Sequence, residues 1–350
     1  MESWSGLLLV ILSGVMAGST LTPSKFMRKY QFGNYWAIHS LVGTVLVPWT
    51  LALITVPNLF EVYGRLPASS LLLPPLFAFS WGIASTLGGL CLTRIGLSLT
   101  YALVVGIGGV AGTVIPILYF SPGLFGTPAG RAILLGIAVM AGGLVLVARA
   151  GREKERTEKE RTAASAAGLA GKGLIQGSFL VGLLMACLAG ILSAGLNFSF
   201  AFASGVTAAA IAEGATPANA SYAVWALAML GGMLPNLAYA LIHCTRNRAW
   251  PVFRMSASTD VPLSILMGCL FMGSTALYGL GAIRLGVLGV SVGWGIMQIM
   301  QIVVGNLGGF WTGEWRAAGS GSTRKMLAGV ATLVAASALM AYGNYLRPDL

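Results

Sequence analysis

The sequence predicts an all-α integral membrane protein whose ten transmembrane helices form two inverted five-helix repeats, and three observations carry that expectation. Of its 350 residues, 56% are hydrophobic and only 9% charged, which is too little polar surface to cover a water-soluble domain of this length. Ten apolar stretches recur along the chain, each able to cross a hydrocarbon core of about 30 Å at about 1.5 Å per helical residue. Arg-x-Gly stands twice between long apolar runs, in LTRIGLS at 92–98 and AIRLGVL at 282–288.

In chain order the expected helices run from about Trp4 to Leu21, Asn34 to Val56, Ser70 to Leu92, Leu97 to Phe120 and Gly130 to Ala148. The second set runs from Leu174 to Phe202, Ala218 to Cys244, Val261 to Ala282, Gly286 to Phe310 and Lys325 to Tyr345. The third and fourth helices, like the eighth and ninth, are separated by little more than Arg94-x-Gly96 or Arg284-x-Gly286, a tight turn with its charge at the membrane face. The first segment lacks the basic leader of a secretory signal, since it opens Met-Glu-Ser-Trp and its basic cluster follows the apolar run, so it is expected as a retained helix. Residues 151–173, GREKERTEKERTAASAAGLAGKG, alternate Glu with Lys and Arg at helical spacing and then turn rich in Ala and Gly. They read as a charged cytoplasmic linker between repeats at 1–150 and 174–350.

The repeat has further support. GVMAGST (14–20) resembles GILSAGL (190–196), Tyr35 with Pro48 matches Tyr222 with Pro235 at the same spacing, and Ser85-Thr86 falls next to Ser274-Thr275. Five helices per half is odd, so the second copy enters the membrane in the opposite sense, an arrangement common among secondary transporters. Loop charge agrees with ten crossings: of 21 Lys and Arg, all except Arg65, Arg131, Arg284 and Arg347 fall in odd-numbered loops. The positive-inside rule places those loops in the cytoplasm and both termini outside. The net charge of +11 is therefore a topology signal, and no nucleic-acid partner is expected.

Glycine is abundant, 48 residues, and spacings such as Gly14/Gly18, Gly190/Ala194, Gly289/Gly293 and Gly305/Gly309 let helix backbones approach closely. Cys91, Cys187, Cys244 and Cys269 are scattered without metal or disulfide spacing and read as small packing residues. No metal or other cofactor is expected.

Any solute site has to be sought among polar groups at membrane depth, where they are costly unless partnered or hydrated. His39, Trp81, Ser85, Thr86, Ser193, Asn197, Asn236, Trp294, Gln298 and Gln301 lie near the middles of their helices. Trp294, Gln298 and Gln301 share one helix face. An indole beside two amides suits a polyhydroxylated ring, whose C–H face packs on the aromatic plane while its hydroxyls exchange hydrogen bonds with the amides. Trp81, Asn197, Trp294, Gln298 and Gln301 are the expected substrate contacts. No Asp or Glu is expected mid-helix, with Asp260 placed just ahead of the eighth, so His39 is the candidate for proton coupling. Lys25 and Glu314-Trp315 read as anchors at the membrane interface. The scarcity of paired acids and histidines argues against an intramembrane enzyme, and nothing forms the ring of polar groups a channel needs.

PSKFMRKY (23–30), WAIHSLVGTVLVPW (36–49), WGIASTLGGLCLTRIGLS (81–98), GILSAGLNFSFAFA (190–203) and WTGEWRAAG (311–319) together resemble the L-rhamnose-proton symporter family of the drug/metabolite transporter superfamily. The resemblance spans nearly the whole chain. It implies a ten-helix carrier of a bacterial inner membrane that brings in a 6-deoxyhexose such as L-rhamnose with a proton, and two five-helix halves enclosing a site at mid-membrane are expected to work by alternating access. The residues alone leave open a carrier or exporter of another neutral metabolite without proton coupling, and leave the oligomeric state open.

Overall fold

The computed structural model describes residues 2–95, 97–166, 179–286, 288–313, 315–316 and 318–346. Among them are ten helices long and apolar enough to cross a membrane. They are α1 (Glu2–Ser19), α2 (Phe32–Thr55), α3 (Ala68–Ile95), α4 (Leu97–Phe120), α5 (Pro128–Ala166), α6 (Phe179–Ser193, resuming as Gly195–Ala201), α7 (Pro217–Arg246), α8 (Ala257–Leu285), α9 (Gly289–Trp311) and α10 (Ser320–Tyr345).

Three departures from the expected elements have physical causes. Instead of stopping near Ala148, α5 runs on to Ala166, because Glu and Lys or Arg one turn apart support a helix in water. There Glu153 ion-pairs with Lys325 of α10 and accepts from Ser322 at 3.3 Å. The linker therefore begins as helix, while its 167–173 portion, with Lys172, lies outside the described residues. In α2, Pro48 offers no N–H and crowds the carbonyl one turn back. The preceding turn, Val42–Leu46, widens to a π-turn closed by the Val47 N–H on the Val42 carbonyl, and the Thr44 hydroxyl donates to Ser40 O at 2.6 Å. Finally, α8 starts at Ala257, so Asp260 sits in its first turn, fully buried, and not ahead of the helix.

The helices pack in a pattern: α1 lies on α8 and α9, and α6 on α3 and α4; α7 lies along α3, and α2 along α8; α2 meets α7, α4 meets α9, and α5 pairs with α10. Advancing every helix by five maps this set of contacts onto itself. Glycine permits the close crossings. A side-chain carbon at Gly6 of α1 would fall 3.0 Å from the Gly281 carbonyl oxygen and the Leu285 nitrogen of α8, and one at Gly182 of α6 would fall 2.7 Å from Ile95 and 2.8 Å from Arg94 of α3. The turn after α8 is made by Gly286 at φ 78°, a conformation that suits glycine. Its counterpart Gly96 lies outside the described residues.

Loops after odd-numbered helices gather on one face, the Arg94 face. Asp260 there accepts the backbone N–H groups of Arg28, Lys29 and Tyr30 at 3.0, 2.9 and 3.0 Å. The Tyr30 hydroxyl donates to Phe253 O at 3.0 Å; burial and the neighbouring Asp260 carboxylate hold that phenol above its ordinary pKa. Lys25 donates to Thr312 at 3.1 Å, tying the end of α1 to the end of α9. Trp315, expected as an interfacial anchor, is instead buried, stacked on Phe310 with Lys154 over its ring, whereas Glu314 lies outside the described residues. On the opposite, Arg284 face, Arg65 ion-pairs with Glu213 and with Glu61, and the Tyr63 hydroxyl donates to Ala223 O at 2.7 Å. Arg347 also lies outside the described residues.

Candidate functional site

Two groups of polar and aromatic side chains occupy the middle of the bundle. The first is centred on Asn197, which follows the break in α6 at Ala194. Its amide nitrogen donates to the carbonyl of Gly112 in α4 at 2.7 Å and toward that of Val290 in α9 at 3.3 Å. Its oxygen accepts from the hydroxyl of Tyr278 in α8, whose oxygen also lies 2.8 Å from the Val290 carbonyl. The Trp294 indole N–H donates to Gly108 O at 3.1 Å. Gly108 and Gly112 lack side chains, and that absence lets an amide and an indole reach the α4 backbone: a side-chain carbon at Gly112 would run into the Trp294 ring. Tyr278 meets Trp294 edge-on at 5.5 Å, and Phe200 stacks on Trp225 at 5.0 Å behind it. Asn197 and Tyr278 are fully buried, and Trp294 nearly so. Their polar atoms are engaged by protein, as buried polar groups must be.

The second group joins α2, α3, α7 and α8. Asn236 Oδ1 accepts from the Trp36 indole at 3.1 Å and from Ser85 Oγ at 2.9 Å, while its nitrogen donates to Gly232 O at 2.9 Å. Trp81 stacks on Phe271 with ring centroids 5.1 Å apart and planes inclined by 8°. His39 meets the other side of this wall, 5.7 Å from Phe271 and 4.7 Å from Trp36. It is 5% exposed, and its Nδ1 is buried without a hydrogen-bond partner.

Gln298 and Gln301 complete the picture. Gln298 is nearly buried, its side-chain stem against Gly109 of α4, while Gln301 is half-buried. Neither makes a hydrogen bond to another described residue, so their amides are available where those of the first group are not.

The expected site residues thus divide. Asn197, Trp294 and Gln298 come together against the Gly108–Gly112 backbone of α4, and Trp81 and His39 come together on Phe271. Among the described residues no hydrogen bond or ring pair links the two groups, although both pack against one apolar core. Sequence reasoning missed Trp36 and Tyr278. Trp36 stands three residues before His39 and so shares its helix face; Tyr278 follows Thr275 by three. Among the described residues no three His, Cys, Asp or Glu side chains are placed to hold a metal ion.

Packing is uneven between the two hairpin ends. Every residue of α3 from Ser85 to Leu90 is half-exposed, with open space beside Gly89 and only one atom, of Val104, at 4.0 Å from Gly88. In α8 the matching stretch is closed, with Ser274, Thr275, Ala276, Tyr278 and Gly279 all buried.

A ten-helix membrane protein that turns indoles, amides and hydroxyls inward at the middle of its bundle is built as a multi-pass solute carrier. The chain belongs to the L-rhamnose-proton symport protein family, whose model matches residues 4–345. It is 26% identical over 348 residues to the L-rhamnose-proton symporter of Cronobacter sakazakii (strain ATCC BAA-894), with 97% of each chain covered. The L-rhamnose-proton symporters of Citrobacter koseri and of Salmonella typhimurium match with the same identity and coverage. The family is one of transporters and not of enzymes.

Proposed function

We propose that this chain carries a 6-deoxyhexose such as L-rhamnose across a bacterial inner membrane together with a proton, by alternating access. The observation that carries the reading is the family match over residues 4–345, in a chain whose bundle interior presents unpaired amides beside indoles. The two halves, 1–150 and 174–350, act as inverted repeats joined by the linker, and the helix contacts that exchange under a shift of five support that view. The basic Arg94 face is cytoplasmic and both termini are external, following the distribution of Lys and Arg.

The sugar's hydroxyls exchange hydrogen bonds with Gln298 and Gln301, and its C–H face packs on Trp81. Asn197 and Trp294 join when their present bonds to the α4 and α9 backbone open, so that sugar hydroxyls replace protein carbonyls one for one. His39 takes the proton at Nδ1. An imidazolium buried without a carboxylate is costly, so loading requires water in the pocket, and the ring faces of Trp36 and Phe271 stabilise the charge. This confines protonation to a state open to one side, the condition coupling needs. The second reading, carriage of a neutral metabolite without a proton, is favoured by the lack of any Asp or Glu near the midpoint of a membrane-crossing stretch.

Reconstitution in liposomes separates the two. Saturable L-rhamnose exchange, driven to accumulation by an inward proton gradient, supports symport. Saturable exchange that ignores the gradient supports the uncoupled carrier, and no exchange across a panel of sugars ends the sugar reading.

A further inference from the structure

We infer that Tyr278 and Asn197 form a latch that closes the Arg284 mouth of the carrier, and that the described state is open toward the Arg94 face. The inference rests on the alternating-access reading above. Its basis is a comparison of positions related by the two Arg-x-Gly hairpins. Arg94 and Arg284 are 190 residues apart, and the same offset relates Trp81 to Phe271, Ser85 to Thr275 and Gly88 to Tyr278. Trp81 and Phe271 stack on each other, as equivalent residues beside a shared axis do. Outward from that stack the two ends differ. On the α8 side, Tyr278 and Asn197 tie α8, α6, α4 and α9 together through the Gly112 and Val290 carbonyls, and Thr275 is 5% exposed. On the α3 side, the counterpart of the tyrosine is Gly88, with nothing nearer than 4.0 Å beside it, and Ser85 is half-exposed.

The latch is reversible because every bond in it is neutral. Opening that mouth to water lets the Asn197 amide, the Tyr278 hydroxyl and the two carbonyls be hydrated, at a cost comparable to a few hydrogen bonds, while the closed state keeps all of them satisfied. The asymmetry also assigns a role to the glycine: position 88 brings no hydroxyl to the Arg94 mouth, where the polar ties among the described residues are those of Ser85 and Trp36 to Asn236 and of Lys25 to Thr312. Tyr278 and Asn197 are positioning residues that set which mouth is open. Asn197 becomes a sugar contact only after the latch releases it.

The test uses the full-length chain in liposomes with its four cysteines replaced by alanine. Thr275→Cys reports the Arg284 mouth through its reaction with a membrane-impermeant maleimide added from that side, and Ala336→Cys, buried in α10, reports general loosening. Adding Tyr278→Phe keeps the ring and removes the hydroxyl. It is expected to raise the labelling rate at Thr275→Cys about fivefold, the population shift that loss of one buried neutral hydrogen bond produces, with Ala336→Cys unchanged. Asn197→Ala is expected to act in the same direction. Unchanged labelling at Thr275→Cys, or an equal rise at Ala336→Cys, overturns the latch. No sugar is needed for the measurement, so absence of L-rhamnose exchange in the parent protein bears on the proposed function and not on this result.

Discussion

The α3–α4 and α8–α9 hairpins are two versions of one device. Both turn on Arg-x-Gly, and both receive a glycine of a facing helix beside the arginine, Gly182 at Arg94 and Gly6 at Arg284. Six residues before the arginine they diverge. A tyrosine there is buried within a hydrogen-bonded plug, whereas a glycine there leaves the helix half-exposed. On the latch inferred above, two like hairpins differ at their mouths: the Arg-x-Gly turn and its facing glycine are kept, and the residue six positions before the arginine is glycine in one and tyrosine in the other.

The two faces are also fastened differently, and that difference yields the largest expected effect. Asp260 is a buried acceptor for three backbone N–H groups of the Arg28–Tyr30 turn, so Asp260→Ala orphans the buried Tyr30 N–H and leaves those of the exposed Arg28 and Lys29 to water. It is expected to cost about 2–3 kcal/mol, since an orphaned buried group costs about 1–3 kcal/mol. The opposite face is held by Arg65 with Glu61 and Glu213 at the surface, and Arg65→Gln is expected to cost under about 1 kcal/mol. Thermal unfolding of the purified variants in detergent, against the parent, checks both ends of this range.

Between these lie the consequences for the site. Gln298→Ala and Gln301→Ala should each raise the half-saturating L-rhamnose concentration roughly five- to tenfold, the worth of one hydrogen bond of about 1–1.5 kcal/mol, as measured by counterflow. A change confined to the maximal rate would instead place these amides outside the pocket. The glycine crossings give a smaller contrast. A side-chain carbon at Gly6 would meet Arg284 Cβ and the α8 backbone at 3.0 Å, whereas one at Gly182 would fall closer, 2.7 Å from Ile95 Cγ2 and 2.8 Å from Arg94 Cβ, atoms next to the α3 backbone with little room to yield. Gly182→Ala should therefore be the more destabilising by about 1 kcal/mol, and equal melting temperatures would break the claim that the crossings are shaped differently.

Most of the fold was legible in the sequence because depth and period are written there. Ten apolar runs, two Arg-x-Gly turns and the segregation of basic loops do not depend on which residues touch. The site was legible only in part. The sequence places Asn197 and Trp294 inside the bundle, but not their partners: both spend their polar groups on α4 and α9 carbonyls, those of α4 being reachable because Gly108 and Gly112 carry no side chain. Trp36 and Tyr278 escaped notice because an isolated aromatic in an apolar helix looks like packing until its polar atom finds a partner. Asp260 looked like a loop residue because its acceptors' partners are backbone groups 230 residues earlier, as at Tyr30, and no local pattern announces them. The π-turn of α2 follows from Pro48, yet Pro235 in α7 sits in an uninterrupted helix, so proline alone did not decide it.

The central claim is that the two halves move a sugar and a proton together through a pocket served by His39. Uptake of L-rhamnose into liposomes under an imposed inward proton gradient, compared between the parent and His39→Gln with sugar exchange measured in parallel, tests it most directly. The account predicts gradient-driven accumulation in the parent, and exchange without accumulation in His39→Gln. Accumulation that survives the substitution, or a parent that shows no saturable exchange, would contradict it.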